Sequence, residues 1–234
     1  MLHALYLLGI AAFAASGVLA AHRAAMDAFG GFVLAFAASI SGGTLRDLIL
    51  GRQPLYWTRD WLLLVLIATV AAATMLYLRR RRLPHRTLMV VDAVGLAVVT
   101  VIGARAAIDA HVTPVAVLIL AVLTGVTGEV VRDVLCGEFP PLLLREEVYA
   151  TAALAGAACY LALHRAGAPA TVAAAVSAGL VFVLRLAAIF RGLHLPRLRP
   201  APARSAPAGA GAPAAGAPAE AGPPREVTSS ATPR

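Results

Sequence analysis

The segment SGGTLRDLILGRQP at residues 41–54 returns as TGEVVRDVLCGEFP at residues 127–140. Each copy sets small residues, an Arg-Asp pair and further Leu, Ile or Val near the end of a long apolar run. Charges in such a setting are costly in lipid, and they persist where they pair, face a protein interior or reach water. Working outward, residues 8–55 align without a gap on 94–141. The informative identities are Gly9/Gly95, Gly17/Gly103, Gly42/Gly128, Arg46/Arg132, Asp47/Asp133, Gly51/Gly137 and Pro54/Pro140.

The surroundings are those of a bilayer protein. Hydrophobic residues make up 60% of the 234 and charged residues 14%, with a mean hydropathy of +0.80, against about 25% charged in soluble domains. Runs long enough to cross a bilayer fall near residues 4–21, 28–50, 61–78, 88–104, 114–136, 148–163 and 170–190. The reading is an all-α integral membrane protein of seven spans. A net charge of +8 would suit a nucleic-acid partner, but most of the arginines sit between the runs, where they set topology. With the N-terminus outside, the inner loops hold Arg23, Arg79, Arg80, Arg81, Arg82, Arg86, Arg145, Arg191, Arg197 and Arg199. The outer loops then hold only Arg52, Arg59, Arg105 and Arg165. An outside N-terminus and a cytoplasmic C-terminus are therefore expected, with no nucleic-acid partner.

Three spans per repeat make the second copy enter the membrane from the opposite side, the inverted architecture common in transport proteins with discontinuous helices. The expected organisation is a first repeat over 1–86, a second, inverted repeat over 87–165, a seventh span with a basic end over 166–199, and an Ala/Pro/Gly-rich disordered tail over 200–234. The seventh span reads as a peripheral packing helix. Gly9, Gly17, Gly95 and Gly103 read as packing glycines, whereas Gly42, Gly43 and Gly128, with charges one turn away, read as helix breaks lining the route. Glu129 stands where the first repeat has Gly43, and its i,i+3 spacing allows a pair with Arg132. Asp92, early in the fourth span, reads as interfacial. Cys136 and Cys159 lack metal or redox spacing, and the six histidines are scattered at span ends. MLH at the start lacks the basic residue of a secretory signal. No catalytic motif is present in the sequence, so neither an enzyme nor a cofactor is expected.

SGVLAAHRAAMDAFGGFVLAFAASISGGTLRDLILGRQPLYW at 16–57, GLAVVTVIGARAA at 95–107 and TGEVVRDVLCGEFPPLLLREEVYATAALAGAACY at 127–160 resemble the bacterial branch of the trimeric intracellular cation (TRIC) channels, also called the glycine-transporter domain family. The resemblance implies a homotrimer in the bacterial inner membrane with one ion route per protomer, lined by glycine motifs of the second and fifth helices. Those motifs map to Ser41, Gly42, Gly43, Thr44, Arg46 and Asp47 and to Thr127, Gly128, Glu129, Arg132 and Asp133. The family's glycine triplet appears as Ser41-Gly42-Gly43 and as Thr127-Gly128-Glu129, and both copies depart from it.

The expected function is passive conduction of monovalent cations, chiefly potassium. Freed carbonyls and the hydroxyls of Ser41, Thr44 and Thr127 would replace ion hydration, Arg46 and Arg132 would narrow the route, and Asp47, Asp133 and Glu129 would offset their repulsion. The alternative is a secondary transporter of glycine or a similar small amino acid. A non-transporting scaffold leaves the duplicated charges unexplained. The Arg79–Arg82 run is also expected to attract acidic lipid headgroups.

Overall fold

The computed structural model describes residues 2–80, 85–138 and 148–191. Arg81, Arg82, Pro140, Arg145, His194, Arg197, Arg199 and the tail over 200–234 lie outside the described residues. Those described are helical: α1 (Leu2–Arg23), α2 (Ala28–Ile49), a short α3 (Tyr56–Arg59), α4 (Trp61–Arg80), α5 (His85–Asp109), α6 (Pro114–Leu135), α7 (Val148–Arg165) and α8 (Ala170–Arg191). Each apolar run has become one long helix. The short α3 is the element that the hydropathy pattern did not predict. Six helices among the described residues are long and apolar enough to cross a membrane; α7 is not among them. Its 18 residues include two tyrosines and end in His164-Arg165, which dilutes the apolar character.

Local chemistry fixes the ends of the two repeated helices. Asp27 caps α2, its carboxylate accepting from the Gly30 amide at 2.7 Å, and Thr113 caps α6, accepting from the Ala116 amide at 3.4 Å with Pro114 as first residue. Such caps satisfy amides that a helix start leaves without partners. At the other end Gly51 (φ +64) and Gly137 (φ +72) take the left-handed conformation. The Arg52 amide then donates to the Asp47 carbonyl and the Glu138 amide to the Asp133 carbonyl, each at 2.9 Å. This is the Schellman closure, and it explains why Gly51 recurs as Gly137. A Cβ at either position would meet open space, so only backbone strain opposes substitution. Gly137→Ala is expected to cost about 1 kcal/mol, read as a small drop in the detergent unfolding midpoint.

Helical structure runs unbroken through Gly42, Gly43 and Gly128, so the expected breaks are absent. The glycines serve close approach instead. A Cβ on Gly42 would collide with the Thr124 carbonyl of α6, and one on Gly128 would stand 2.5 Å from the Ala38 carbonyl of α2. Residues 38 and 124, like 42 and 128, occupy equivalent places in the two repeats, so the α2–α6 contact is reciprocal. The same exchange joins α1 to α5: a Cβ on Gly9 would stand 3.0 Å from the Val99 side chain, and one on Gly95 would stand 2.8 Å from the ring of Phe13, the equivalent of Val99. Within each repeat, a Cβ on Gly17 would stand 2.7 Å from the Ala35 backbone and one on Gly103 would stand 3.1 Å from that of Ala121, again equivalent positions. Missing side chains let helix axes come close enough for dense packing where water-driven burial is absent.

The apolar core follows this plan. Ile10, Ala14, Ala35, Leu63 and Ile67 fill the first repeat; Ala104, Leu120, Ala121, Tyr160 and Ala174 fill the second together with α8. Phe13, Ala38 and Val99 close the seam between the repeats. Leu48, Ile49, Trp61, Val115, Ile119, Val134 and Phe190 remain exposed, the outward apolar dressing expected of helices that face acyl chains.

Candidate functional site

Two buried charge clusters occupy the equivalent ends of α2 and α6. In the first, Arg46 donates to one carboxylate oxygen of Asp47, from Nε at 2.9 Å and from Nη2 at 2.7 Å. The other Asp47 oxygen accepts from the Tyr56 amide at 3.3 Å. The Arg46 guanidinium also lies 5.6 Å from the Tyr56 ring centre, within reach of a cation–π contact. The short α3 brings Tyr56 here, and Gly43 makes room for it, since a Cβ at 43 would run into the Tyr56 ring. The Tyr56 hydroxyl donates toward the Ser39 and Ile40 carbonyls at 3.4 and 3.5 Å. Burial pushes the Tyr56 phenol well above its ordinary range, so it remains a neutral donor. Tyr6 meets Tyr56 edge-on at 5.9 Å, and Trp57 donates to the Thr44 hydroxyl at 3.0 Å.

The second cluster is larger. Arg132 donates from Nε to Asp133 Oδ1 at 2.8 Å, from Nη1 to Asp92 Oδ1 at 2.7 Å and to the Ser16 hydroxyl at 2.5 Å, and from Nη2 to Glu129 Oε1 at 3.3 Å. Three helices, α1, α5 and α6, are thereby tied together, and Tyr149 of the neighbouring α7 lies within electrostatic reach of Asp92, Glu129 and Arg132. All four charged members are 5% exposed or less. Buried ions are tolerated when paired and hydrogen-bonded. One oxygen on each of Asp92, Glu129 and Asp133 nevertheless has no hydrogen-bond partner among the described residues.

The clusters therefore differ in formal charge. Arg46 faces one carboxylate, and the residue equivalent to Asp92 in the first repeat is Tyr6, so the first cluster is neutral. Arg132 faces three carboxylates. This corrects the interfacial reading of Asp92, which is 2% exposed and holds Arg132 from α5. The expected Glu129–Arg132 pair is present. The structure also supplies the partners that spacing left open: Arg46 with Asp47, and Arg132 with Asp92 and Asp133.

The hydroxyls are placed differently from expectation. With no freed carbonyls at the glycines, Thr44 donates to the Ile40 carbonyl at 2.8 Å and Thr127 to the Leu123 carbonyl at 2.5 Å, bonds back along their own helices. Such bonds bend helices modestly without breaking them. Their lone pairs remain for other donors or cations, and the Ser41 hydroxyl has no partner among the described residues. Ser16, Tyr56, Tyr149 and Arg185 were not singled out from the sequence. For Arg185 the signal was present: a lone arginine inside the apolar run 170–190 is an intramembrane ion and merits a functional reading by default.

Comparison with known proteins reaches the same place. The glycine transporter family model matches this chain twice, over residues 3–80 and 89–165. The inner membrane protein YadS of Escherichia coli strain K12, a UPF0126 protein, is 40% identical over 192 residues, covering 81% of this chain and 92% of its own length. A UPF0126 membrane protein of Vibrio cholerae is 40% identical over 197 residues, covering 84% of this chain and 82% of its own. Among solved structures, the TRIC trimeric intracellular cation channel orthologue from Rhodobacter sphaeroides superposes with a TM-score of 0.78 at 36% identity, over 82% of this chain and 98% of that one. A second structure, from work on conductance through TRIC cation channels, gives 0.77 at 31% identity, over 86% and 98%. With its duplicated helices, repeated Arg-Asp clusters and these relatives, the chain belongs to the glycine transporter (UPF0126) family of membrane proteins, whose fold is that of the TRIC channels.

Proposed function

We propose that the protein is a channel for monovalent cations, chiefly potassium, working as a homotrimer in a bacterial inner membrane with one route through each protomer. The observation that carries this reading is the pair of buried Arg-Asp clusters at equivalent ends of α2 and α6, in a chain that superposes on TRIC cation channels. Seven transmembrane helices, α7 included, form two inverted three-helix repeats and one further helix. The reciprocal glycine contacts support that symmetry, because a contact of position i with j matched by one of j with i is what a two-fold relation produces. The twofold match of the family model supports the same division. The N-terminus is outside and the C-terminus cytoplasmic, as the arginine distribution favours.

The route runs past Ser41, Gly42, Gly43, Thr44, Arg46 and Asp47 on α2 and past Thr127, Gly128, Glu129, Arg132 and Asp133 on α6. Ions pass with their hydration partly replaced by hydroxyl and carboxylate oxygens, and each guanidinium sets a barrier that its carboxylates lower. The test is current across a planar bilayer holding purified protein under a KCl gradient. An ohmic current reversing near the potassium potential is the expected result. The family model's description favours one rival, a glycine carrier. Silence in the bilayer with saturable glycine uptake into liposomes of the same preparation would replace the channel by that carrier.

A further inference from the structure

Helix α8 lies outside both repeats, so nothing in the first repeat corresponds to it. It nevertheless buries a charge. Arg185 is 4% exposed, and its guanidinium sits 4.4 Å from the centre of the Tyr149 ring. A purely packing helix in a bilayer has no use for such a group, whose burial is costly unless something opposite in sign lies near. The cation–π contact supplies part of that compensation. The rest points to α6: Val126 and Val130, on either side of Glu129, pack in one cluster with Tyr149 and with Val181 and Leu184 of α8, the turn that carries Arg185; the two charges lie within electrostatic reach of each other, and Glu129 Oε2 and Arg185 Nε are both buried without a hydrogen-bond partner among the described residues.

Glu129 is itself an addition, standing where the first repeat has Gly43. Three carboxylates outnumber the single Arg132 guanidinium by two, and Arg185 halves that excess. The second cluster thus departs from the first by two added acids, Glu129 for Gly43 and Asp92 for Tyr6, and by one added base of opposite sign, Arg185.

We propose that Arg185 is a specificity-determining charge of the second cluster, the counter-charge to Glu129 delivered by α8 across Tyr149, and that the two together set how strongly this half of the route prefers cations to anions. The selectivity part rests on the channel reading; the pairing of the charges does not.

The test is a double-mutant cycle on the full-length protein, with Glu129→Gly, Arg185→Gln and both together. The readouts are the potassium-to-chloride permeability ratio from reversal potentials and the unfolding midpoint in detergent. Glu129→Gly is expected to lower the ratio and Arg185→Gln to raise it, each by about a hundredfold, the order set by one unit charge about 10 Å away at an effective dielectric of about 20, which acts with opposite sign on the two ions. The double variant should return to within about twofold of wild type, and Arg185→Lys, which keeps the charge, should leave the ratio unchanged. An arginine that merely packs on Tyr149 would change the midpoint without changing the ratio, and that result overturns the proposal. Should Arg185→Gln fail to fold, the pairing requires that Glu129→Gly restore folding in the double variant, and failure to restore it also overturns the proposal. A wild type without current defeats the channel reading instead, and the cycle is then decided by the midpoints, where coupling between the two sites supports the pair and simple additivity refutes it.

Discussion

Arg132→Ala is expected to remove most of the folded protein, with a loss of about 3–5 kcal/mol or more. The guanidinium donates to Asp92, Glu129, Asp133 and Ser16, so its removal strands three carboxylates where each is 5% exposed or less. Among the described residues only the Ser16 hydroxyl, donating to Asp92 at 3.3 Å, still hydrogen-bonds the three, and Arg185, lying against Tyr149, leaves two of the three charges unbalanced. Since a native domain is stable by only about 5–15 kcal/mol, such a loss reaches the margin. Arg46→Ala is expected to cost distinctly less, because only Asp47 is left behind and it keeps the Tyr56 amide. The measurement is the unfolding midpoint of both variants in detergent by circular dichroism, with folded yield after purification. Midpoints equal within error would mean that the second cluster does not hold the helices together.

The second large effect is expected from Gly42→Val and Gly128→Val. Each places a Cβ against a backbone carbonyl of the partner helix, Thr124 for Gly42 and Ala38 for Gly128. A clash with a flexible side chain relaxes by rotation, but here relief requires the two helices to move apart. Overpacking of ordinary cores costs about 1–3 kcal/mol, and a seam that cannot repack is expected at about 3 kcal/mol or above by the same principle. The reciprocity of the contacts predicts similar losses for the two variants. Gly179→Ala on α8 is the control, since a Cβ there meets nothing within 4 Å. It is expected to be neutral or to stabilise by about 0.5–1 kcal/mol through helix propensity. A tolerant Gly42 beside an intolerant Gly128 would contradict a symmetric seam.

Much of the architecture was legible in the chain. Apolar runs gave the long helices to within a few residues, because a membrane segment must satisfy its own backbone and its length is set by the bilayer. The recurrence of Gly51 as Gly137 marked helix ends that need a left-handed residue, and the spacing of Glu129 and Arg132 gave an ion pair on one helical face. What misled was the meaning of Gly42, Gly43 and Gly128. A glycine beside charges reads equally as a broken helix or as a place where another backbone comes close, and both need only the absence of a side chain. Which one holds depends on whether a partner arrives, here α6, α3 and α2 respectively.

The sequence by itself determined the duplication, the helices and the recurrence of the Arg-Asp dipeptide, all of which rest on residue type and spacing along one chain. Tertiary structure alone decided that Asp92 and Ser16 join Arg132, that Tyr56 occupies the space beside Gly43, and that α8 brings Arg185 over Tyr149. The physical reason is that a buried charge is stabilised by whatever lies within a few ångströms in space, and those neighbours come from helices far apart in sequence.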